Sequence, residues 1–297
     1  MMNRLNSCLR YVFFAALAIT TSACTPVEVP GSLVSDTGVE QPVTSEALRL
    51  LTLNMAHGRK DSINQLFLTG NSIRSNLDDM ARFLVRTDAD VVALQEADGP
   101  SYWSGRFDHV GYLASASGYP WNVRSDHERG RYINFGTGLL SKVPFKEVLS
   151  HDFPESPPTL RKGFTLGQIQ WQFAPGKPFT AIDVVSVHLD FSRRSVREVQ
   201  IEDILTILEK RNHPVILMGD FNSEWLGTES AIQRLVASGE VRVYKPASDQ
   251  LGTYRSGKKR LDWVLLSKEL EFINYEVLPD IVSDHQAVLV EVGLSEN

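Results

Sequence analysis

The sequence has few cysteines and no hydrophobic run long enough to cross a membrane. Cys8 and Cys24 are the two cysteines among 297 residues, so no disulfide framework is expected. The apolar run from Tyr11 to Thr20 has ten residues, whereas a membrane-spanning helix needs about 20. The Gly-x-Ser-x-Gly motif and any Cys/His cluster at zinc spacing are absent. These absences argue against a hydrolase with a serine nucleophile elbow and exclude a structural zinc site.

Basic residues are in the minority. The chain has 30 Lys and Arg against 36 Asp and Glu, a formal net charge of −6 at pH 7. Residues 1–23 hold two arginines and no acid, so their removal takes the net charge from −6 to −8. An acidic chain is poorly suited to broad binding of a polyanion. A nucleic-acid partner is therefore not favoured, although a local basic rim leaves it open.

The N-terminal segment predicts export. Arg4 and Arg10 give the segment a positive charge before its apolar run, and the small residues Thr21-Ser22-Ala23 precede Cys24. Both features are typical of a signal peptide. The ending resembles a bacterial lipobox, which implies lipidation of Cys24 and a membrane anchor, although Thr21 stands where Leu is usual. No Asp follows Cys24, so we expect a cell-envelope lipoprotein anchored in the outer membrane. The alternative is an ordinary secretory signal.

Composition divides the chain into three parts. Residues 1–23 are predicted to be the signal peptide. Residues 24–46 contain three prolines and little hydrophobic periodicity, and we expect a flexible tether there. From residue 47 to residue 297, strands and helices alternate without a linker-like break, which predicts one α/β domain.

Several apolar segments typical of buried strands end in polar residues. These residues are Asn54, Glu96, His188, Asp220 and Asn222. Two further groups, Asp262 and the pair Asp284-His285, stand at the starts of later strands. If the two sets of strands run antiparallel, all of these side chains fall on one edge of a mixed sheet, where α/β proteins commonly bind ligands.

These residue types suit phosphoester hydrolysis, which needs a cation, an oriented water and help for the leaving oxygen. Glu96 is the kind of hard oxygen ligand that Mg²⁺ prefers. His285 beside a carboxylate could be a charged imidazole facing the phosphate. Each residue alone has an ordinary interpretation: Glu96 as a helix cap, Asn54 as a turn residue, His188 as a buried histidine. The combination favours a site.

The motifs around these residues are similar to those of one known family. Leu53-Asn54, Gln95-Glu96, His188-Leu189, Gly219-Asp220-Phe221-Asn222, Leu261-Asp262-Trp263 and Ser283-Asp284-His285 resemble, in the same order, the endonuclease/exonuclease/phosphatase superfamily of DNase I-like phosphoesterases. The resemblance covers roughly residues 47–293. It implies a four-layer α/β sandwich of two packed mixed β-sheets flanked by helices.

The same resemblance implies roles for the residues. Glu96 would bind the divalent metal, Mg²⁺ with Mn²⁺ or Ca²⁺ as alternatives, with support from Asn54 and Asp284. Asp220 would orient or deprotonate the water, and Asn222 would hold a phosphate oxygen. Asp262 would keep His285 charged and aligned, while His188 would stabilise the transition state or leaving group. Ala56 departs from the pattern, because some family nucleases place a metal-binding Asp there, and neighbouring His57 is a weak site candidate.

Basic residues near the site are candidates for binding the substrate phosphate. Arg193 and Arg197 follow His188, and Arg260 precedes Asp262. A helix beginning near Arg193 would add a favourable end for anions. The alternative is that these charges are solvated surface. The aromatic residues Tyr102, Trp103 and Trp121, within the unclear segment 97–132, are interpreted as packing residues rather than as substrate or membrane contacts.

The sequence therefore predicts a Mg²⁺-dependent phosphodiesterase or phosphatase in the cell envelope. A secreted or surface-anchored nuclease is the alternative within the same reaction class. A further alternative, from a different functional class, is a non-catalytic binding protein with the same fold. No protein partner is predicted.

Overall fold

The computed structural model describes residues 45–62, 68–227 and 230–295. The predicted signal peptide, Cys24 and most of the tether lie outside the described residues. Within the described part of the chain, no helix combines the length and the apolar character needed to cross a membrane.

The described residues form twelve strands, four α-helices and one short 3₁₀ helix. The strands are β1 Leu48–Asn54, β2 Val91–Asp98, β3 Trp121–Glu128, β4 Phe135–Ser141, β5 Glu147–Asp152, β6 Gly163–Trp171, β7 Thr180–His188, β8 Val215–Asp220, β9 Val241–Val243, β10 Asp262–Ser267, β11 Leu270–Val277 and β12 Val288–Leu294. The helices are α1 Gly70–Thr87, α2 His109–Ser117, α3 Arg194–Leu208 and α4 Ala231–Ala237, with the 3₁₀ helix at Ala56–Gly58.

The strands make two mixed six-stranded sheets. One sheet has the order β11-β12-β1-β2-β4-β3 and the other β5-β6-β7-β8-β10-β9. One pair in each sheet is parallel, β1 with β2 and β7 with β8, and the other pairs are antiparallel. The predicted fold class, a four-layer sandwich of two packed mixed sheets flanked by helices, is confirmed.

Side-chain alternation along the strands explains the four layers. In β1, Leu48 and Leu50 lie in the core between the sheets, whereas Leu51 and Leu53 pack against α1 and α2. Strand β8 divides in the same way, since Ile216 and Met218 face the other sheet and its remaining apolar residues pack against α3 and α4. Strands buried on both faces read as continuous apolar runs, which is why they could be located from the sequence.

Helix α1 begins at Gly70 and is capped by Thr69. The Thr69 hydroxyl accepts a hydrogen bond from the backbone N–H of Ser72 at 3.2 Å. Threonine performs this function as serine and asparagine do, and the sequence offers all three within four positions.

The carboxyl ends of the parallel strands meet at one edge of the sandwich. In the second sheet, His188 pairs with Asp220 across β7 and β8, and Asp262 at the start of antiparallel β10 pairs with Asp220 from the other side. Between the sheets, Gln95 of β2 donates to the Ser186 hydroxyl at 3.0 Å, and that hydroxyl donates to the Leu94 carbonyl at 2.9 Å. These buried bonds join the two sheets next to Glu96.

Candidate active site

A cleft of about 450 Å³ opens at this shared edge, and most of the sequence-predicted polar residues meet there. Its walls include Glu96, His188, Asp220, Asn222, Asp284 and His285. Asn54 and Asp262 are buried behind the wall, at 1% and 0% exposure, in contact with residues that line it. The ends of six strands from the two sheets thus contribute to one site.

Asp262, His285 and Asp220 form a chain of buried groups. His285 Nδ1 donates to Asp262 Oδ2 at 2.8 Å, and His285 Nε2 lies 3.9 Å from Asp220 Oδ2. The hydroxyl of Thr253 also donates to Asp262 Oδ2, at 2.6 Å. Burial alone lowers the pKa of His285, but the carboxylates of Asp262 and Asp220 outweigh it and raise the pKa to about 10. His285 is therefore an imidazolium at neutral pH, with its Nε2–H toward the cleft.

Asp220 lies at the centre of the hydrogen-bond network. Its Oδ2 accepts from Asn54 Nδ2 at 3.0 Å, and its Oδ1 accepts from the backbone N–H of Asn222 at 2.9 Å. Burial raises the pKa of Asp220 to about 7, and the neighbouring carboxylate of Asp262 adds to this rise while His285 opposes it. A carboxylate with a pKa near neutrality is a far better proton acceptor than an ordinary aspartate.

The backbone before Asp220 explains why glycine precedes it. Gly219 has φ +147°, and a Cβ there would lie 2.0 Å from the Val187 carbonyl oxygen of β7. Glycine therefore allows β8 to approach β7 closely at the cleft, which sets Asp220 beside His188. Beyond the strand, Asn222 adopts φ +47° and donates from Nδ2 to the Leu189 carbonyl at 3.0 Å, so the turn after β8 is fixed to the end of β7.

His188 is held by a buried lysine that the sequence analysis missed. Lys162 Nζ lies 3.4 Å from His188 Nδ1, and the ammonium also lies over the Phe135 ring, 4.9 Å from its centroid. Burial and the Lys162 charge hold the pKa of His188 well below its usual value, so the imidazole is neutral. An ammonium offers only donors, so Nδ1 is the acceptor and the proton of His188 sits on Nε2. The Nε2 atom lies 3.7 Å from Asp220 Oδ2.

Glu96 reaches the cleft through an irregularity in β2. The pairing of β2 with β4 shifts between Gln95 and Ala97, and Glu96 has φ +50°. A bulge of this kind redirects one side chain out of the strand's alternation. Burial by itself raises the pKa of Glu96, but the cations His57 and Lys162 outweigh it and hold the pKa well below its usual range. Glu96 is thus an ionised carboxylate in the wall of the cleft.

His57 is part of the site, although the sequence made it only a weak candidate. Its Nδ1 donates to Asp98 Oδ1 at 2.7 Å, and its Nε2 lies 3.3 Å from Glu96 Oε2. Burial lowers the pKa of His57, but Asp98 and Glu96 together raise it above its usual value. The imidazole thus links the Glu96 carboxylate to a fully buried second carboxylate.

The donor groups at the cleft fit a divalent cation. Glu96 supplies an ionised hard-oxygen ligand with room beside it for water and substrate oxygens, the arrangement that Mg²⁺ prefers. A second group, Asp220, Asp262 and His285, has donor atoms within 4.8 Å of one another. As placed, His285 is protonated and donates to Asp262, so it cannot also coordinate a cation. The fit is therefore best at Glu96.

The two supporting ligands suggested by the resemblance make other contacts. Asn54 Oδ1 accepts the backbone N–H of Ala56 at 2.9 Å while its Nδ2 holds Asp220. Asp284 Oδ2 accepts from Arg59 Nη2 at 2.7 Å. Arg59, which also lines the cleft, is a second residue that the sequence analysis missed.

Of the three arginines expected at the rim, one lines the cleft. Arg197 does so while donating to the Asp190 carbonyl at 2.9 Å. Arg193 instead donates to the Pro157 carbonyl at 3.0 Å, and Arg260 is buried and donates to the carbonyls of Tyr244 and Lys245. Arg193 and Arg260 therefore stabilise loops, which corrects the expectation that they face the phosphate.

Comparisons with known proteins agree on one family and one fold. A family model described as the Endonuclease/Exonuclease/phosphatase family matches residues 51–285. A search of curated proteins finds no match.

Solved structures share the fold at low sequence identity. An endonuclease/exonuclease/phosphatase family protein from Leptotrichia buccalis is 21% identical with a TM-score of 0.65, covering 84% of this chain and 100% of that one. Bacteroides thetaiotaomicron mannosyl-6-phosphatase is 16% identical with a TM-score of 0.60, covering 82% and 99%. The human Nocturnin catalytic domain with bound sulfate is 17% identical with a TM-score of 0.59, covering 84% and 96%.

Proposed function

We propose, because this chain belongs to the Endonuclease/Exonuclease/phosphatase family, that it hydrolyses a phosphoester by means of an activated water and a divalent cation. The observation that carries the proposal is the buried chain Asp262–His285–Asp220. It places the charged His285 donor beside Asp220, a carboxylate whose pKa is near neutrality. The neighbour named as a mannosyl-6-phosphatase belongs to the same reaction class.

Asp220 is the residue that takes the proton from the attacking water. Its pKa of about 7 leaves a large share of it ionised at neutral pH, and Asn54 and the Asn222 backbone hold its two oxygens in fixed directions. The water oxygen bonds to phosphorus, its proton moves to Asp220, and the ester oxygen leaves.

The two histidines stabilise the charge that develops on the phosphoryl group and the leaving oxygen. His285 presents a charged Nε2–H and His188 a neutral one, and both lie in the wall of the cleft. Asp262 keeps His285 protonated and Lys162 keeps His188 in the Nε2–H tautomer. Asn222 and Arg197 also line the cleft and are the proposed contacts to phosphate oxygens.

Glu96 is the proposed principal ligand of Mg²⁺, with Mn²⁺ and Ca²⁺ as alternatives and with Asn54 and Asp284 as supporting residues. A cation bound there would neutralise the negative charge of the phosphoryl oxygens. His57 and Asp98 orient the Glu96 carboxylate through the contacts described above.

A panel of phosphomonoesters, phosphodiesters, DNA and RNA, assayed with Mg²⁺ and with EDTA, tests this function. We expect hydrolysis of at least one phosphoester class that EDTA abolishes and that Asp220→Ala and His285→Ala each reduce by about a hundredfold or more. Metal-independent hydrolysis, or full activity in both variants, would contradict the proposal. Strong cleavage of plasmid DNA or RNA would make the chain a nuclease.

We also propose that Cys24 carries a lipid and anchors the protein in the cell envelope. The support is the segment Thr21-Ser22-Ala23-Cys24 after an apolar run. Mass spectrometry of the mature protein tests this, since lipidation predicts an acylated Cys24 as the first residue. An unmodified N-terminus at another position would refute it.

A further inference from the structure

The loops around the cleft expose large apolar side chains, one on each of six separate loops. These side chains are Tyr102, Tyr132, Leu160, Phe191, Leu226 and Ile281. We call them the rim residues. Tyr132, Phe191 and Leu226 are 72%, 65% and 80% exposed, and Phe191 also lines the cleft.

Strand pairing places all six loops at the same edge of the sandwich. The β3–β4 and β5–β6 hairpins turn at this edge, because Glu128 pairs with Phe135 and Asp152 with Gly163. The loops after β2, β7 and β8 follow the strand ends that carry Glu96, His188 and Asp220. The β11–β12 connection carries Asp284 and His285. At the opposite edge, Phe179 is the one large apolar side chain that is exposed on a described loop.

Basic side chains lie among the rim residues. The exposed cations on the loops at this edge include Arg106, Arg129, Arg131, Arg255, Lys258 and Lys259. Among the described residues of the same loops, exposed carboxylates are fewer, although the whole chain carries a net charge of −6. Tyr102 and Tyr132 stack with their centroids 5.5 Å apart, and Arg131 Nη2 donates to the Tyr102 hydroxyl at 2.9 Å. Tyr102 thus packs against a neighbouring loop, as expected, while 44% of its surface stays exposed.

We infer that this edge docks on the surface of a phospholipid bilayer, with the cleft facing the headgroups. Apolar side chains scattered singly over a surface have no special meaning, but six of them on the loops of one edge, with Phe191 in the wall of the cleft, favour an apolar partner. Tyrosines with cationic neighbours suit the headgroup region, while leucine, isoleucine and phenylalanine partition below it. The cations add attraction to anionic headgroups.

A nucleic acid fits the rim residues less well than a lipid surface does. Single strands bind through aromatic rings that stack on bases along a basic groove. Leu160, Leu226 and Ile281 have no ring to stack, and on a polyanion they would remain exposed to water. The three aliphatic rim residues therefore favour a lipid partner.

The docked orientation also narrows the substrate. A cleft facing headgroups receives the phosphoester of a lipid headgroup, so the substrate class is a phospholipid. This step rests on the proposed function, whereas docking itself rests on the surface alone.

Site-specific fluorescence on the full chain tests the docked orientation. Cys8→Ala and Cys24→Ala remove both native thiols, and Leu226→Cys or Phe179→Cys then carries one environment-sensitive fluorophore. Vesicles of phosphatidylcholine and phosphatidylglycerol are added in EDTA, so no turnover is required. We expect a blue shift at position 226 and quenching there by brominated lipid, with neither at position 179. Because both proteins share the same N-terminal segment, membrane binding through residues 1–44 cannot produce this difference.

Three results would overturn the inference: no shift at position 226, equal shifts at both positions, or a shift at 226 produced by single-stranded DNA rather than by vesicles. A shift at 226 that depends on protein concentration without vesicles would instead identify a second copy of the chain as the partner. Loss of docking with retained hydrolysis of a soluble phosphodiester separates failure of this inference from failure of the proposed function.

Serine substitutions measure the contribution of the rim residues to vesicle binding. Leu226→Ser and Tyr132→Ser should each weaken vesicle binding by roughly tenfold, since each removes one buried apolar side chain. Phe179→Ser is the matched control and should leave binding unchanged. If Phe179→Ser weakens binding as much as Leu226→Ser does, the orientation is wrong.

Discussion

Asp262 acts on the cleft without lining it. Its Oδ2 accepts hydrogen bonds from His285 and Thr253, while its buried Oδ1 has no hydrogen-bond partner among the described residues. A buried carboxylate with one oxygen unsatisfied is costly, and here the cost is offset by the imidazolium that it stabilises. Charge, rather than hydrogen bonding alone, is what Asp262 contributes.

Asp262→Asn separates these two contributions. Asparagine can still accept from His285, but without the negative charge the pKa of His285 should fall from about 10 toward its ordinary value. We expect kcat on a soluble phosphodiester to fall on the order of 10²- to 10⁴-fold. NMR titration of the His285 ring measures the pKa directly. An unchanged His285 pKa would show that the aspartate charge is not what holds the proton.

Lys162 determines which nitrogen of His188 carries the proton, so its removal should affect rate more than fold. In Lys162→Met the donor to Nδ1 is lost and the two tautomers compete, and we expect kcat to fall about tenfold to a hundredfold. Lys162→Arg keeps a donor and should recover part of the rate. Ring ¹⁵N shifts of His188 report the tautomer. A pure Nε2–H tautomer in the methionine variant would refute this role.

At the scale of elements, the strand ends carry most of the site, and Gly219 shows how tightly they are packed. In Gly219→Ala the new Cβ meets the Val187 carbonyl oxygen, which belongs to backbone and cannot move aside cheaply. We expect the variant to lose about 3 kcal/mol of unfolding free energy, measured by urea denaturation. Gly176→Ala is the control, since nothing lies within 4 Å of its added Cβ, although its φ of +77° adds some strain. Equal losses in the two variants would mean that the β7–β8 contact is not the cause.

The hairpins of the second sheet depend on a polar contact between sheets. His127 of β3, 2% exposed, donates from Nδ1 to Asp152 Oδ1 of β5 at 2.8 Å. Burial raises the pKa of Asp152, but His127 and Arg129 outweigh it and lower the pKa to about 2, compared with about 3.9 for an unperturbed aspartate. Because the folded pKa is depressed, this stabilisation is complete above pH ~4 and is lost as the pH falls toward 2.

Asp152→Ala should therefore cost about 1–3 kcal/mol of unfolding free energy at pH 7, since it also leaves the His127 donor unsatisfied. The difference between the variant and the native protein should shrink as the pH falls from ~4 toward ~2. Urea denaturation over that range is the measurement. A difference that stays constant with pH would indicate packing rather than charge.

Sequence pattern located the buried elements better than the edges. β1, β2, β7 and β8 are buried on both faces, and β1, β7 and β8 end in their functional residue, so both the strand and its site residue could be predicted. Strand β2 continues two residues past Glu96, to Asp98. Strand β3, Trp121–Glu128, alternates buried and half-buried residues and carries four charged or imidazole side chains. Because it has no continuous apolar run, it could not be located within segment 97–132. Helix α4, with seven residues, was too short to show a periodicity.

The missed site residues depend on register rather than pattern. Lys162 faces His188 because Gly163 pairs with His188 across antiparallel strands, a pairing that no local signal indicates. His57 reaches Glu96 because Ala56 and His57 both adopt positive φ after β1. Arg193 and Arg260 show the opposite error, because proximity in sequence to His188 and Asp262 did not place their guanidinium groups in the cleft.

On the scale of the whole molecule, the two sheets each contribute half of one site. Glu96 comes from the first sheet, His188 and Asp220 come from the second, and the Asn54–Asp220 bond joins them. In the proposed function, the cation ligand lies on the first sheet and the water-activating group on the second. The proposed hydrolysis therefore requires the Glu96 carboxylate to bind the cation on which the chemistry of the other sheet depends.

The Mg²⁺ dependence of phosphodiester hydrolysis in Glu96→Gln tests that requirement most directly. The control is Glu155→Gln, an exposed rim carboxylate that pairs with Arg161. We predict that the Mg²⁺ concentration for half-maximal rate rises at least about tenfold in Glu96→Gln and is unchanged in the control. Identical Mg²⁺ activation curves for the native protein and Glu96→Gln would contradict the proposal that Glu96 binds the cation.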